Sequence, residues 1–244
     1  MRQPLTYGRS DALVVTTRVV GARPGAVLLA ESPFFPGGGG QLPDRGVLRW
    51  ESGEAEVIDF EPAEDGLWHV LAAGVEPSGA VQAEVDAAFR GLMSELHTAT
   101  HVLNAHVFLA FDGALVTGAQ MLSDGTARMD FDLPDTDPER LRGLEAALND
   151  TIAQDLAIEQ DHVPVELARA QRGLIRNRSV APPPTPDGLI RVIEIVGLDR
   201  QACGGTHLTS TGGLRPIRVL RVDNKGRHNR RVRIGLAGAP GSPA

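Results

Sequence analysis

The chain holds a single cysteine, Cys203, so an internal disulfide is excluded, and a lone thiol fits a reducing compartment. No apolar run approaches the roughly 20 residues needed to cross a bilayer as a helix, so no membrane partner is expected. The opening Met1-Arg2-Gln3-Pro4 passes into polar residues rather than an apolar signal core, and a cytoplasmic protein is expected. There is no internal repeat.

What is present is ordinary globular material: 244 residues, 42% hydrophobic and 23% charged, enough for one large domain or two smaller ones. The net charge of −7 argues against a polyanionic partner, but the charge is unevenly spread. Between positions 214 and 234, Arg215, Arg218, Arg221, Lys225, Arg227, Arg230, Arg231 and Arg233 face only Asp223, which leaves the remainder with 16 bases against 30 acids, or −14. A basic strip on an acidic body steers a polyanion to one face. A solvated hairpin with arginines on its outer face is the competing reading.

Two short motifs carry chemistry. In His97-Thr98-Ala99-Thr100-His101 the histidines are four apart, which on a helix stacks them on one face with both imidazoles free to meet one ion. About a hundred residues on, Cys203-Gly204-Gly205-Thr206-His207 places the only thiol four residues before another histidine, on a turn that can fold tightly. Alone, a histidine pair is more often surface or core, and a lone cysteine is usually a small buried hydrophobe. Together they make an N/S ligand set suited to one zinc ion. Because zinc catalysis needs an open position, His97, His101 and Cys203 are expected as firm ligands, with His207 a weak fourth ligand or a catalytic proton carrier. Thr98 stands where a H-E-x-x-H metalloprotease has its glutamate base, so that class is set aside.

Residues 1–84 read as a β-rich domain, a small barrel or sandwich, from short apolar runs cut by Gly, Pro and Asp turns. Within it, Phe34-Phe35-Pro36-Gly37-Gly38-Gly39-Gly40-Gln41 is poor strand and poor helix. Such a loop either lets a ligand approach the backbone closely or is a flexible hairpin tip. A second domain, 85–237, is expected to open with a helix from Val85 to about Phe111, then a hairpin from Val116 to Phe131 turning at Ser123-Asp124-Gly125. Asp137-Pro138 predicts a helix running to about Gln160, with Leu141, Leu144, Leu148, Ile152 and Leu156 on one face. A short helix begins near Val165, and residues 189–196 form the clearest strand. A closing pair, Ile217–Val222 and Arg231–Leu236, precedes a disordered tail, 238–244. Thr117 and Gln120, at the start of the hairpin, are expected to face the metal helix, with Gln41 reaching in from the glycine loop.

With these motifs placed, the chain resembles the free-standing alanyl-tRNA editing proteins of the AlaX type and the editing region of alanyl-tRNA synthetase. The resemblance is carried by His97-Thr-Ala-Thr-His101, Gly118-Ala-Gln120, Arg128-Met-Asp-Phe-Asp132, Gly197 through Cys203-Gly-Gly-Thr-His207, Asn229-Arg230-Arg231, and Phe35-Pro-Gly-Gly-Gly-Gly-Gln41 through Gly46. It implies an α+β editing domain, antiparallel sheet with packed helices, preceded by a β-barrel. It also implies hydrolysis, in trans, of the ester joining a wrong amino acid, chiefly serine and sometimes glycine, to tRNA(Ala). Under that reading Thr117, Gln120, Gln41, Gly38, Gly39 and Gly40 bind substrate, and Lys225, Arg227, Arg230 and Arg231 bind the RNA. The non-enzymatic rival is a zinc-stabilised tRNA-binding module. The chain is expected to act autonomously rather than as a synthetase fragment, and no pattern in it specifies self-association.

Overall fold

The close-set apolar runs of the first third fold into six antiparallel strands: β1 (Val14–Arg23), β2 (Ala26–Leu29), β3 (Gly46–Trp50), β4 (Gly53–Ala63), β5 (Gly66–Leu71) and β6 (Ala80–Val85). In the computed structural model, which describes residues 13–72, 74–176, 182, 184–185 and 187–242, they close into a barrel in the order β1-β2-β5-β4-β3-β6. Val14 opposite Glu84 and Arg18 opposite Ala80 seal it, so no strand edge is left open. Alternate residues point inward, and Val27, Leu29, Leu48, Val57, Val81 and Ala83 fill the interior together with Phe34 and Phe60.

The neck of the glycine loop is tied shut by one guanidinium. Arg90 donates from Nε to both oxygens of Asp44, at 2.9 and 3.1 Å, and from an NH2 group to the Pro33 carbonyl at 2.9 Å. Asp44 in turn accepts from the Phe35 amide at 2.6 Å, and its own amide donates to the Phe35 carbonyl at 2.9 Å. Both charges are buried, so the cost of taking them out of water must be offset by their pairing and by the bonds to the Pro33 carbonyl and the Phe35 amide.

The chain divides into two compact units, one running to Gly38 and from Leu42 to Gly91, the other taking Gly39–Gln41 and Leu92 onward. The long helix α1 (Ala87–Ala110) therefore begins in the first and continues in the second. Asp86 caps it by accepting the Phe89 amide at 3.0 Å, and Asp112 and Gly113, at φ 50° and 80°, end it. Two sheets follow. The four-stranded one has the order β12 (Ile217–Lys225), β13 (Asn229–Leu236), β8 (Thr126–Asp132), β7 (Val116–Met121). The three-stranded one runs β11 (Asp199–Ala202), β10 (Leu189–Ile195), β9 (Ile158–Pro164), all antiparallel. The fold is thus a β-barrel followed by an α+β region with antiparallel sheets and packed helices, as the resemblance implied.

One expected element breaks. The helix begun at Asp137, whose side chain caps Glu139 at 3.0 Å, stops after a turn and a half as α2 (Pro138–Arg142) at Gly143. It resumes as α3 (Glu145–Ala153) and ends before Asp155, which lies at φ 49°. Residues 158–160 then belong to β9 instead of the helix, because Ile158 to Pro164 find partners along the whole of β10, and sheet pairing overrides the helical spacing. A short helix α4 (Val165–Ala170) follows as expected. At the C-terminus the chain makes turns as far as Ser242: Ala239 is buried and the Gly241 amide donates to Asp124 at 2.8 Å. The last two residues of the expected tail lie outside the described residues.

The barrel carries one titratable group in its core. His69 packs edge-on against Phe34 and Phe60, accepts from or donates to Ser32 Oγ at 2.8 Å, and lies 3.4 Å from the Val27 carbonyl. Burial pushes its pKa down to about 4 from 6.5. The unfolded chain therefore binds the proton first as pH falls. Stability is full above pH 6.5 and declines until about pH 4, by about 3 kcal/mol in all. Both tryptophans, Trp50 and Trp68, lie in barrel strands, so their fluorescence reports this unit. In urea unfolding, His69→Gln should lose less stability than wild type across that window; parallel losses would remove His69 as the source.

Candidate metal centre

The site is built where α1 is buried on every side. From Leu96 to Ala105 no residue of this helix is exposed, so its polar side chains must find partners inside the protein. Thr98 and Thr100 donate back to the helix, to Ser94 and His97 carbonyls at 2.8 and 2.7 Å. His97 and His101, one turn apart, are left facing the segment that follows β11. There the Cys203-Gly-Gly turn is held by Arg191 of β10, which donates to the carbonyls of Gly205 at 2.6 Å and Cys203 at 3.2 Å and is itself steadied by Gln160.

The four expected ligands converge. Donor atoms of His97, His101, Cys203 and His207 all lie within 4.8 Å of one another, a group that can hold a metal ion. Cys203 Sγ is 3.4 Å from His97 Nε2 and 3.3 Å from His207 Nε2. Three of the four are buried and His207 is half-buried. Gly205 is required by space: a Cβ there would stand 2.1 Å from Cε1 of His97 and 2.7 Å from Oε1 of Gln41.

The ring nitrogens turned away from the cluster explain its orientation. His97 Nδ1 lies 2.8 Å from Gln41 Oε1, which also accepts the Thr206 amide at 3.0 Å. An amide oxygen can only accept, so His97 carries its proton on Nδ1 and presents a lone pair at Nε2. His207 Nδ1 lies 3.4 Å from Thr98 Oγ1, whose own proton goes to Ser94 and which also accepts the Leu208 amide at 3.1 Å. That fixes the same tautomer in His207. His101 Nδ1 is buried without a hydrogen-bond partner. Burial pushes His97 down to about 3 and holds His101 and His207 well below the ordinary imidazole range, with neighbouring cationic groups adding to the effect. All three are neutral, the form that binds metal. Burial raises the Cys203 thiol, while the Gly205 amide, 3.4 Å from Sγ, and the Arg191 charge favour its thiolate. A donor set of neutral nitrogens and one thiol, with a buried nitrogen left unpartnered, fits a metal.

The other expected residues are placed unequally. Gln41 is buried and bonds His97 and Thr206, whose hydroxyl accepts from Gln41 Nε2 at 2.9 Å and from Ser94 Oγ at 2.8 Å. It therefore supports a ligand from behind. The glycines ahead of it, Gly37 to Gly40, have φ of 87°, 131°, 61° and 92°, a run of left-handed backbone that only glycine adopts freely. Gly40 lies against Ala119, where a Cβ would meet the carbonyl oxygen at 2.5 Å, and its own carbonyl accepts the Met121 amide at 2.8 Å. Gly38 and Gly39 are exposed, with open space around them. Thr117 occupies the irregularity in β7 and donates to the Asp130 carbonyl at 3.2 Å, and Gln120 accepts from Arg128 at 2.8 Å. Neither has a hydrogen bond to the four-residue cluster.

The basic strip is not a continuous free surface. Arg215 pairs with Glu95 at 2.7 Å, Arg218 with Glu145 at 3.1 Å, Arg221 with Asp223 at 2.5 Å and Arg231 with Asp130 at 2.6 Å. Arg230 is buried and donates to the Thr136 carbonyl at 2.9 Å. Lys225 and Arg227 are exposed in the β12–β13 turn and have no ion-pair partner among the described residues. Pattern reading missed Ser94, Thr98, Thr206 and Arg191 as parts of the site. Two of these lie inside the motifs themselves, but nothing in the spacing marks Arg191 as the clamp on the turn.

Comparison with known proteins is consistent with this geometry. Residues 190–233 match the family described as threonyl and alanyl tRNA synthetase second additional domain. The alanyl-tRNA editing protein AlaX-M of Saccharolobus solfataricus is 33% identical over 219 residues, covering 88% of this chain and 90% of that protein. The chain belongs to the AlaX family of alanyl-tRNA editing proteins. Alanine–tRNA ligases match as well: that of Methanopyrus kandleri is 36% identical over 200 residues and that of Frankia alni 31% over 236, covering 80% and 95% of this chain. The AlaX-type chain spans only 21% and 26% of those ligases.

Gly205→Ala should fold yet lose the centre, since the added methyl displaces a ligand ring rather than a core side chain. Metal analysis after dialysis against Zn²⁺ should give about one ion per chain for wild type and a small fraction for the variant. Equal loading would show that His97 can move aside.

Proposed function

We propose that this AlaX-family protein is a zinc-dependent aminoacyl-tRNA deacylase that removes serine, and also glycine, from mischarged tRNA(Ala). The observation that supports it most is the convergence of His97, His101, Cys203 and His207 in a buried pocket whose imidazoles are held neutral. The N₃S donor set is the borderline-soft kind that suits zinc. When bound, zinc would supply Lewis-acid polarisation of an ester carbonyl or a lowered pKa for water.

In the reaction, water adds to the ester carbonyl, the bond to the terminal ribose oxygen breaks, and that oxygen takes up a proton. The chain's part is to bind, orient and move that proton. His207 is assigned the double role of weak ligand and proton carrier: it is the least buried of the four, and its contact to Thr98 is long at 3.4 Å. Gln41 keeps His97 in one tautomer. Gly39 offers bare backbone to the approaching substrate, and Lys225 and Arg227, exposed and without an ion-pair partner among the described residues, would meet RNA phosphates. Thr117 is the proposed reader of serine's hydroxyl: having given its proton to Asp130, it keeps acceptor capacity on a strand that adjoins the glycine segment. A polar pocket left unpaired by alanine can discriminate by roughly 10⁴-fold or more.

An assay with Ser-tRNA(Ala), Gly-tRNA(Ala) and Ala-tRNA(Ala) should show release of serine and glycine, sparing of alanine, and loss of activity on chelation. RNA retained without serine release would identify a zinc-stabilised binding module. Thr117→Val should slow serine release by at least tenfold; unchanged rates would remove it from the pocket. His207→Ala should keep zinc at reduced affinity and lose deacylation, whereas loss of both together would exclude the proton-carrier role.

A further inference from the structure

The helix and the strand that bring the ligands together meet along a ladder of which the metal site is only one end. On α1, positions 97, 101, 104 and 108 share a face by helical spacing, and along β11 and the residue that follows it positions 199, 201 and 203 share one by alternation. Burial follows both patterns: Asp199, Gln201 and Cys203 are buried while Arg200 and Ala202 between them are half-exposed. At one end Cys203 Sγ meets His97 at 3.4 Å. Further along, Asn104 Nδ2 donates to Gln201 Oε1 at 2.9 Å, and Gln201 Nε2 donates to Asp199 Oδ2 at 2.7 Å. At the far end Asp199 forms a buried ion pair with Arg176, whose guanidinium lies over the Phe108 ring, 3.8 Å from its centre, and donates to the Gly173 carbonyl at 2.8 Å.

None of these four polar residues touches the metal cluster through a hydrogen bond, yet each is buried. Burying amides and charges costs free energy that these bonds and the ion pair offset only in part, since Asn104 Oδ1 and Arg176 Nη1 find no hydrogen-bond partner, so an alignment that broke the remaining bonds would be costlier still. An amide pair is directional: Gln201 must offer its oxygen to Asn104 because its nitrogen is taken by Asp199. A slip of β11 by one residue would turn Asp199, Gln201 and Cys203 to the opposite face together.

We propose that the chain Asn104–Gln201–Asp199–Arg176 is a register lock that positions Cys203 against His97 and His101, making Asn104 and Gln201 positioning residues for the metal centre. The inference rests on the reading of that centre as a metal site. Asn104 and Gln201 act through alignment, while the Arg176 charge at the far end also helps to keep His101 neutral. Asn104→Asp keeps the volume and removes the donor; Asn104→Ala removes the rung.

Zinc affinity would be measured by competition with a chromophoric chelator, beside the absorption of the cobalt(II)-loaded protein and the melting temperature of the metal-free one. In both variants the dissociation constant should rise by roughly 10- to 100-fold, the scale of outer-shell losses, and the thiolate-to-cobalt band should weaken while the metal-free protein still melts cooperatively. Affinity within about twofold of wild type with an unaltered cobalt band in a folded variant would overturn the lock. So would failure of both variants to fold, which would make Asn104 a core residue without a positioning role. If wild type itself bound neither ion, the metal reading would fall instead, a result distinct from either.

Discussion

The central constraint is the enclosure of four side chains able to hold a metal ion, three buried and one half-buried, where the imidazoles stay uncharged. A helix buried on all sides is an expensive place for histidine, threonine and asparagine, and the structure meets that demand by giving nearly every polar atom a designated partner. Gln41 serves His97, Thr98 serves His207, and Arg191 gathers the carbonyls of the turn that carries Cys203. On this helix the exceptions among the described residues are Nδ1 of His101, in the cluster itself, and Oδ1 of Asn104. Residues distant in sequence thus act together because each removes a desolvation penalty the others would otherwise leave.

This explains which parts of the molecule could be read from the chain. His97 and His101 were legible because helical spacing is local, and Cys203 and His207 because the two spaced pairs together make an N/S ligand set that neither makes alone. The barrel strands, the long helix and the two hairpins followed from alternation, capping and turn residues. What could not be read was the direction of side chains that answer to distant partners. Gln41, expected to reach in from the glycine loop, bonds His97 from behind, a partnership that no local pattern announces. Arg230 and Arg231, expected to meet RNA, have intramolecular partners in the Thr136 carbonyl and Asp130 that the basic strip does not reveal. Single-sequence reading extended the helix after Asp137 to Gln160, because the pairing of β9 with β10 depends on residues thirty positions away.

The glycine loop shows the same division. Its composition marks an unusual backbone, and four successive positive φ angles account for it. Its closure by Arg90 and Asp44 and the contact of Gly40 with Ala119 are tertiary facts, set by groups that no local pattern links.

That contact has a further effect on the sheet it touches. β7 is the terminal strand of the four-stranded sheet, and such a rim normally exposes amides and carbonyls on which another chain can template itself. The bond from the Met121 amide to the Gly40 carbonyl occupies part of that rim from within the same molecule. At the opposite rim β12 presents Arg218, Arg221 and Lys225 to solvent, where charge discourages intermolecular strand addition. The loop that delivers Gln41 thereby also covers part of an otherwise open sheet border, and deleting it would free the Met121 amide as well as remove the partner of His97.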